Sequence, residues 1–184
     1  MHVKLPALEQ GLPRIRRSPK ETGRVELIVR RPAVEERELL DRAELDPVEG
    51  LVGDCWRVRG SSSREDGSAH PDRQITLMNA RVAALLAGDR KRWARAGDQL
   101  YVDLDLSGDN LPPGTRLELG SAVIEVTDQP HRGCGKFARR FGVDALKFVN
   151  SDAGEELNLR GINTRIVTGG TVRVGDEIRK AADR

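Results

Sequence analysis

The segment Gln129–Phe137, QPHRGCGKF, places one of the two cysteines of this 184-residue chain beside a histidine and several cations. Cys134 lies between two glycines, with His131 and Arg132 before it and Lys136 after it. A free thiol has a pKa of about 8.5, and cationic neighbours or a helix start lower it to about 3.5–7.5. The run CGKFARRFG is predicted to be helical, so Cys134 lies at or just before its first turn, where free N–H groups favour a thiolate. The segment therefore predicts an accessible cysteine in electropositive surroundings.

The other cysteine has different neighbours. Cys55 is followed by Trp56 and Val58 in a predicted strand, and no basic cluster accompanies it. This setting is typical of the small, buried, apolar residue that a free cysteine usually is. Cys134, with two glycines and many cations around it, fits that description poorly, so we assign chemistry to Cys134 and not to Cys55.

Several kinds of chemistry remain open to the Cys134 thiolate. As a catalytic nucleophile it needs a general base, and His131 is the candidate, but the sequence identifies no Asn or Asp to orient that histidine. As a soft thiolate it can carry a sulfane sulfur as a persulfide, or ligate a soft or high-valent metal centre. The surrounding cations suit an anionic ligand or a phosphate-bearing cofactor.

Composition excludes several classes of function. The 31 Lys and Arg residues nearly balance the 29 Asp and Glu residues, so no nucleic-acid partner is predicted. Two cysteines are too few for a disulfide scaffold, and the absence of a CxxC pair with three isolated histidines predicts no zinc site. No GxGxxG or Walker-type nucleotide motif is present. The chain shows neither a secretory signal nor a run of about 18 apolar residues, so we expect a cytoplasmic protein without a membrane partner.

Hydrophobic patterning predicts many short strands. Residues 1–23, rich in Pro, Gly and Arg, are predicted to form an extended N-terminal arm, and residues 24–184 a single domain. GRVELIVRR and the alternating apolar positions 100–106 read as strands, whereas AVEERELLDRAEL (33–45) is predicted to be an amphipathic helix. Gly-Asp pairs recur in VGD (52–54), AGD (96–98), SGD (107–109) and VGD (174–176), and we interpret them as tight turns without chemistry. The predicted fold is mainly β, an antiparallel closed or nearly closed barrel with short peripheral helices.

Three stretches resemble one known family. DLSGDNLPPGTRLELG, the cysteine of GCGKF, and the closing RGI…GGTVRVGD are together similar to a MOSC domain, the C-terminal region of molybdenum-cofactor sulfurases. The resemblance covers roughly residues 50–178. It implies a β-barrel related to the pyruvate kinase barrel domain, and an essential cysteine that carries sulfur or coordinates molybdenum in a pterin cofactor (molybdopterin). By position that cysteine is Cys134.

The resemblance also bears on supporting residues and partners. The predicted cofactor-binding residues are Asn110, His131, Arg132, Lys136 and Arg160. For Asn110 the alternative is a plain turn residue; for Arg160 it is a surface ion pair; and for His131 it is a cap of the following turn. The resemblance implies molybdenum-cofactor binding with either sulfuration or molybdenum-dependent reduction. No pyridoxal-phosphate desulfurase sequence is recognised in the chain, so a cysteine desulfurase is the expected sulfur donor for sulfuration, and a redox partner is the expected electron source for reduction. The alternative function is a non-catalytic binding module whose barrel recognises a partner or an anionic ligand.

Overall fold

The computed structural model describes residues 2–182 of the chain. The strands are β1 Thr22–Arg30, β2 Glu38–Leu40, β3 Arg42–Asp46, β4 Gly50–Leu51, β5 Ile75–Asn79, β6 Leu100–Asp103, β7 Arg116–Leu119, β8 Ala122–Val126, β9 Ile162–Thr168, β10 Gly170–Arg173 and β11 Glu177–Lys180. The helices are α1 Leu5–Gln10, α2 Leu12–Arg16, α3 Trp56–Arg59, α4 Ala80–Ala87, α5 Gly135–Phe141, α6 Val143–Val149 and α7 Asp152–Glu156, with 3-10 turns at Pro71–Arg73 and Arg90–Ala96.

Seven of the described strands close into a barrel. The order around it is β1, β6, β5, β9, β8, β7 and β11, and β11 pairs with β1 to complete the ring. All of these pairs are antiparallel except β5 with β6, which is parallel. β2 extends the sheet beyond β1, and β10, β3 and β4 form a smaller second sheet. The prediction of a mainly β barrel with short peripheral helices is confirmed, with a mixed rather than purely antiparallel strand order.

Two apolar clusters fill the molecule. The barrel interior contains Leu100, Val102, Leu104 and Leu106, the alternating positions that predicted a strand there. The second cluster lies between the barrel wall and the helices, and Tyr101 belongs to it because β6 is buried on both faces. The hydroxyl of Tyr101 donates to the carbonyl of Trp93 at 2.7 Å, which satisfies the polar end of this buried ring.

The N-terminal segment differs from its prediction. Residues 5–16 form α1 and α2 instead of an extended arm, and Leu8 and Ile15 are buried in the helical cluster. A proline at the second position of each helix suits a helix start, because the N–H that it lacks would have no partner in the first turn. The gain from burying two large apolar side chains outweighs the weak local periodicity that suggested an extended chain.

Residues 33–45 also differ from their prediction. The expected amphipathic helix is a turn followed by β2 and β3, which pair with β1 and β10. Ala43 and Leu45 alternate with exposed neighbours and face the barrel core, so the period that governs them is two rather than 3.6. The strand expected around Cys55 is instead the short helix α3.

The helices of residues 2–182 are too short or too polar to span a membrane.

Candidate functional site

A cavity of about 500 Å³ opens beside Cys134. Its lining comes from segments that are far apart in sequence: 31–37, 55–59, 73–76, 96–97, 130–140 and 160–163. A volume of this size is within the range of about 300–1,000 Å³ that is usual for small-molecule sites. The cavity is therefore large enough for a cofactor or a substrate next to the thiol.

The lining is strongly cationic. In the part of the chain that the structure describes, seven cationic side chains line the cavity: Arg31, Arg37, Arg59, Arg73, Lys136, Arg140 and Arg160. Within the same residues Glu35 is the one acidic side chain of the lining. This excess of positive charge favours a ligand with at least one anionic group.

Helix α5 presents the cysteine. Phe137 and Phe141 are buried, with ring centroids 5.0 Å apart, and they hold the helix against the barrel. Cys134 immediately precedes the helix in an extended conformation, and its side chain is exposed. The apolar face of a short amphipathic helix therefore places the thiol at the cavity mouth.

Two asparagines fix the chain that leads to Cys134. The side-chain amide of Asn150 accepts from the N–H of Gly133 at 2.9 Å and donates to its carbonyl at 3.1 Å. Asn163, which is buried, donates to the carbonyls of Gln129 and Pro130. A Cβ at Gly133 would lie 2.8 Å from the side chain of Leu146 on α6, so close packing against α6 favours glycine at this position.

A buried carboxylate holds the histidine and an arginine of the site. Asp98 is fully buried; its Oδ1 lies 2.8 Å from His131 Nε2 and its Oδ2 accepts from Arg160 at 2.6 Å. Burial opposes ionisation of Asp98, but the charge of Arg160 and the hydrogen bond from His131 outweigh it and hold the pKa of Asp98 below its usual value. Arg160 also donates to the carbonyl of Ala96 and stacks over Phe137, with Cζ 5.1 Å from the ring centroid. Asp98 thus links the barrel to both residues beside the thiol.

The Gly-Asp turns, to which we assigned no chemistry, are therefore of two kinds. Asp98 of AGD supports His131 and Arg160, and Asp54 of VGD accepts three hydrogen bonds from Arg31, at 2.8–2.9 Å. Asp109, by contrast, is exposed. Gly53 and Gly97 do have the positive φ of tight turns, but Asp54 and Asp98 bind arginines of the cavity, so the expectation that these turns have no part in the site is wrong.

The environment of Cys134 favours its thiolate. Partial burial works against ionisation, but the backbone N–H groups of Phe137 and Lys136 and the charges of Arg160 and Arg140 outweigh it, so the pKa of the Cys134 thiol lies below its usual value. Burial, followed by the charge of Arg160, lowers the pKa of His131, so the ring is neutral near pH 7. A neutral ring that donates Nε2–H to Asp98 leaves Nδ1 as an acceptor.

The sequence of the chain matches a protein-family model. The model described as the MOSC domain matches residues 64–179, which include Asp98, Cys134 and Arg160. The chain belongs to the MOSC domain family. This family is associated with molybdenum-cofactor binding or sulfuration. No curated protein matches the sequence of this chain.

Solved structures share the fold of this MOSC domain. The YuaD protein from Bacillus subtilis superposes with a TM-score of 0.66 at 17% identity, over 89% of this chain and 97% of that one. YiiM from Escherichia coli gives a TM-score of 0.56 at 18% identity, over 88% and 71% of the two chains. YiiM from Geobacillus stearothermophilus gives 0.52 at 13%, over 89% and 74%. At these identities the likeness establishes the barrel alone.

The structure brings together four of the six predicted site residues of the MOSC domain. Cys134, His131, Lys136 and Arg160 line one cavity. Arg132 is exposed, forms an ion pair with Glu155 and is not part of the lining.

Asn110 also lies outside the cavity that contains Cys134. It lines a separate depression and donates to the carbonyls of Lys20 and Asp105, as a turn residue does. The placement of Asn110 and Arg132 does not support the prediction that they bind a ligand beside Cys134.

The position of Cys55 differs from its prediction. It is half-buried, precedes α3 and lines the same cavity as Cys134, instead of lying in an apolar strand. Its backbone N–H donates to the carbonyl of Arg31 at 2.7 Å, which ties α3 to the chain after β1. Local sequence around Cys55 carried no signal for this position, because the contact joins residues 24 apart in the chain.

Cys134 is expected to alkylate faster than Cys55 near neutral pH. Cys134 is exposed and its thiol pKa is lowered, so the rate should reach half its maximum at a lower pH in the folded protein than in denaturant. Competitive labelling with iodoacetamide across a pH series, read by peptide mass, measures both rates. Equal rates for the two cysteines, or the same pH profile folded and unfolded, would contradict this expectation.

Asn150→Ala is expected to shift the alkylation profile of Cys134 to higher pH. Loss of both hydrogen bonds frees the peptide before Cys134, so the N–H groups of the first turn of α5 no longer face the sulfur consistently. Asn110→Ala is the matched control, since it also removes two hydrogen bonds between a side-chain amide and the backbone but lies outside the cavity. Each variant should lose about 1–3 kcal/mol of stability, and only the first should move the profile. A shift of equal size in both variants would assign the effect to general destabilisation.

Proposed function

We propose that this MOSC domain binds the molybdenum cofactor in the cavity beside Cys134, and that Cys134 is its sulfur carrier or its molybdenum ligand. One observation carries the proposal: an exposed thiol with a lowered pKa lies at the mouth of a cavity of about 500 Å³ with a predominantly cationic lining. A thiolate is both the attacking group in sulfur transfer and a soft metal ligand.

The donor set of the cavity fits a cofactor better than a bare metal ion. Among residues 2–182 there is no group of three or more His, Cys, Asp or Glu side chains that could hold a metal. Among these residues the cavity offers the thiols of Cys134 and Cys55 but no cluster of metal ligands, so a metal here needs most of its ligands from a cofactor. The Nε atoms of Arg73 and Arg160 are buried and have no partner among the described residues, so these cavity-lining arginines retain donor capacity.

The residues of the cavity have distinct parts in this proposal. Lys136, Arg73 and Arg160 supply positive charge for the phosphate and the pterin edge, and Cys134 supplies sulfur. When bound, the cofactor supplies a molybdenum centre with exchangeable sulfur and oxygen ligands. Asp98 keeps Arg160 and His131 in place, so the charge near the thiol is fixed before a ligand enters.

Sulfur loading needs no oxidant. The Cys134 thiolate attacks the terminal sulfur of a persulfide on a donor protein such as a cysteine desulfurase. A new S–S bond forms at Cys134, the S–S bond of the donor breaks, and the donor cysteine leaves as a thiolate while the proton stays on the transferred sulfur. The lowered pKa of Cys134 increases the fraction of attacking thiolate at neutral pH.

Two measurements on anaerobically purified protein test the proposal. Mass spectrometry after incubation with a persulfide donor should show one added sulfur atom on the peptide that contains Cys134, and metal analysis with a pterin assay should show bound cofactor. If an anionic ligand binds while Cys134 gains no sulfur and contacts no metal, the alternative of a non-catalytic binding module is correct.

A further inference from the structure

Glu35 projects a negative charge into an otherwise cationic cavity. It lies in the turn after β1 with φ 68, a conformation that few residues other than glycine adopt. Its carboxylate accepts from Arg140 at 2.5 Å and lies 3.9 Å from Lys136 Nζ. The hydrogen bond from Arg140 is the main cause that lowers the pKa of Glu35, so the carboxylate is ionised near pH 7.

One of the two cations that Glu35 contacts is held in place by the fold. Arg140 is largely buried and donates to the carbonyl of Arg95, so its guanidinium keeps its place without Glu35. Lys136 and Arg140 are four residues apart on α5, which puts them on one face of the helix whose start carries Cys134. A carboxylate therefore fills the position that an anionic ligand group needs.

We propose that Glu35 is a displaceable internal ligand of an anion subsite formed by Arg140 and Lys136, and that a phosphate group entering the cavity takes its place. Glu35 is exposed, and exposed ion pairs contribute little net free energy. Phosphate carries more charge and more acceptor oxygens than one carboxylate, so it competes effectively for the same donors. The inference rests on the proposed function for the identity of the natural ligand, but the subsite itself can be tested with inorganic phosphate.

The first arm of the test compares a charged and a neutral alkylating reagent at Cys134. Glu35→Gln should raise the ratio of the iodoacetate rate to the iodoacetamide rate by about two- to five-fold at low ionic strength. Glu36→Gln is the matched control, since Glu36 is the next residue, is exposed and is outside the cavity lining. The control should leave the ratio unchanged. Equal ratios in the two variants would overturn the proposal.

The second arm measures protection of Cys134 from iodoacetate by phosphate, against sodium chloride at the same ionic strength. Half-protection should need about three-fold less phosphate in Glu35→Gln than in the wild-type protein. Lys136→Gln should need correspondingly more, and Arg132→Gln should match the wild type because Arg132 pairs with Glu155 outside the cavity. Identical protection in wild type and Glu35→Gln would overturn the displacement.

The two proposals fail separately. A response to phosphate that depends on Glu35, without sulfur loading or cofactor binding, would overturn the proposed function and support the anion subsite. Sulfur loading without any effect of Glu35→Gln would overturn the subsite and support the function.

Discussion

Cys134→Ser is expected to abolish sulfur loading and to leave the fold intact. The side chain is exposed and oxygen replaces sulfur with little change of volume, so the free energy of unfolding should change by no more than about 0.5 kcal/mol. A serine hydroxyl is not ionised near neutral pH, cannot form a persulfide and is a poor substitute for a soft thiolate ligand. Whole-protein mass after incubation with a persulfide donor, with denaturant unfolding on the same sample, measures both expectations.

Cys55→Ser is the control for this substitution. Cys55 lines the same cavity but is half-buried, so the variant keeps one cavity thiol and loses the other. It should load one sulfur at Cys134, as the wild-type protein does. If Cys134→Ser gains the sulfur at Cys55, or retains bound molybdopterin and full molybdenum-dependent activity, the assignment of the chemistry to Cys134 is wrong.

Asp98→Ala is expected to destabilise the protein by about 3–5 kcal/mol, because it leaves the buried charge of Arg160 without its carboxylate and removes the acceptor of His131. This is a large share of the total of about 5–15 kcal/mol that is usual for a domain. Urea unfolding measures the loss.

The stabilisation by Asp98 depends on pH. Because the pKa of Asp98 is lowered in the folded state, its contribution to stability is complete above the unfolded aspartate pKa of about 3.9 and is lost progressively as the pH falls below that value. As the pH falls below about 4, the free energy of unfolding should therefore decrease less in Asp98→Ala than in the wild-type protein.

Two further variants separate the ion pair from a general effect of the turn. Asp109→Ala changes the same position of another Gly-Asp turn, where the side chain is exposed, and should cost no more than about 0.5 kcal/mol. Asp98→Ala combined with Arg160→Met removes both charges and should be more stable than the sum of the two single losses. Strict additivity would mean that Asp98 and Arg160 do not act as a pair.

Local sequence signals are sufficient for the elements that depend on neighbouring residues alone. Asn79 directly precedes an apolar run, a typical N-cap position, and its side-chain oxygen accepts from the N–H groups of Arg81 and Val82 at the start of α4. The hairpin of β7 and β8 turns at Gly120, whose φ is 56. These features need only neighbouring residues, so a sequence read alone is sufficient for them.

The helix predicted over 33–45 shows where local reasoning fails. Leu39, Leu40 and Ala43 fit a helical period, but their segment lies beside β1 and β10, and the ladder bonds of two sheets outweigh the local preference. In β1 a bulge between Val25 and Leu27 changes which face each side chain takes, and simple alternation does not reveal it.

The sequence by itself determined the barrel class and an electropositive cysteine at the start of a helix, because alternation, glycine turns and clustered cations act over a few residues. Only the tertiary structure decided what surrounds that cysteine. His131 and Arg160 meet Asp98 across 33 and 62 residues, and Asn150 reaches Gly133 across 17. In the folded chain Cys55 and Glu35 line the cavity, whereas Asn110 and Arg132 do not. A side chain contacts distant partners only after the strands have paired, so no local pattern records which carboxylate or amide will hold the site.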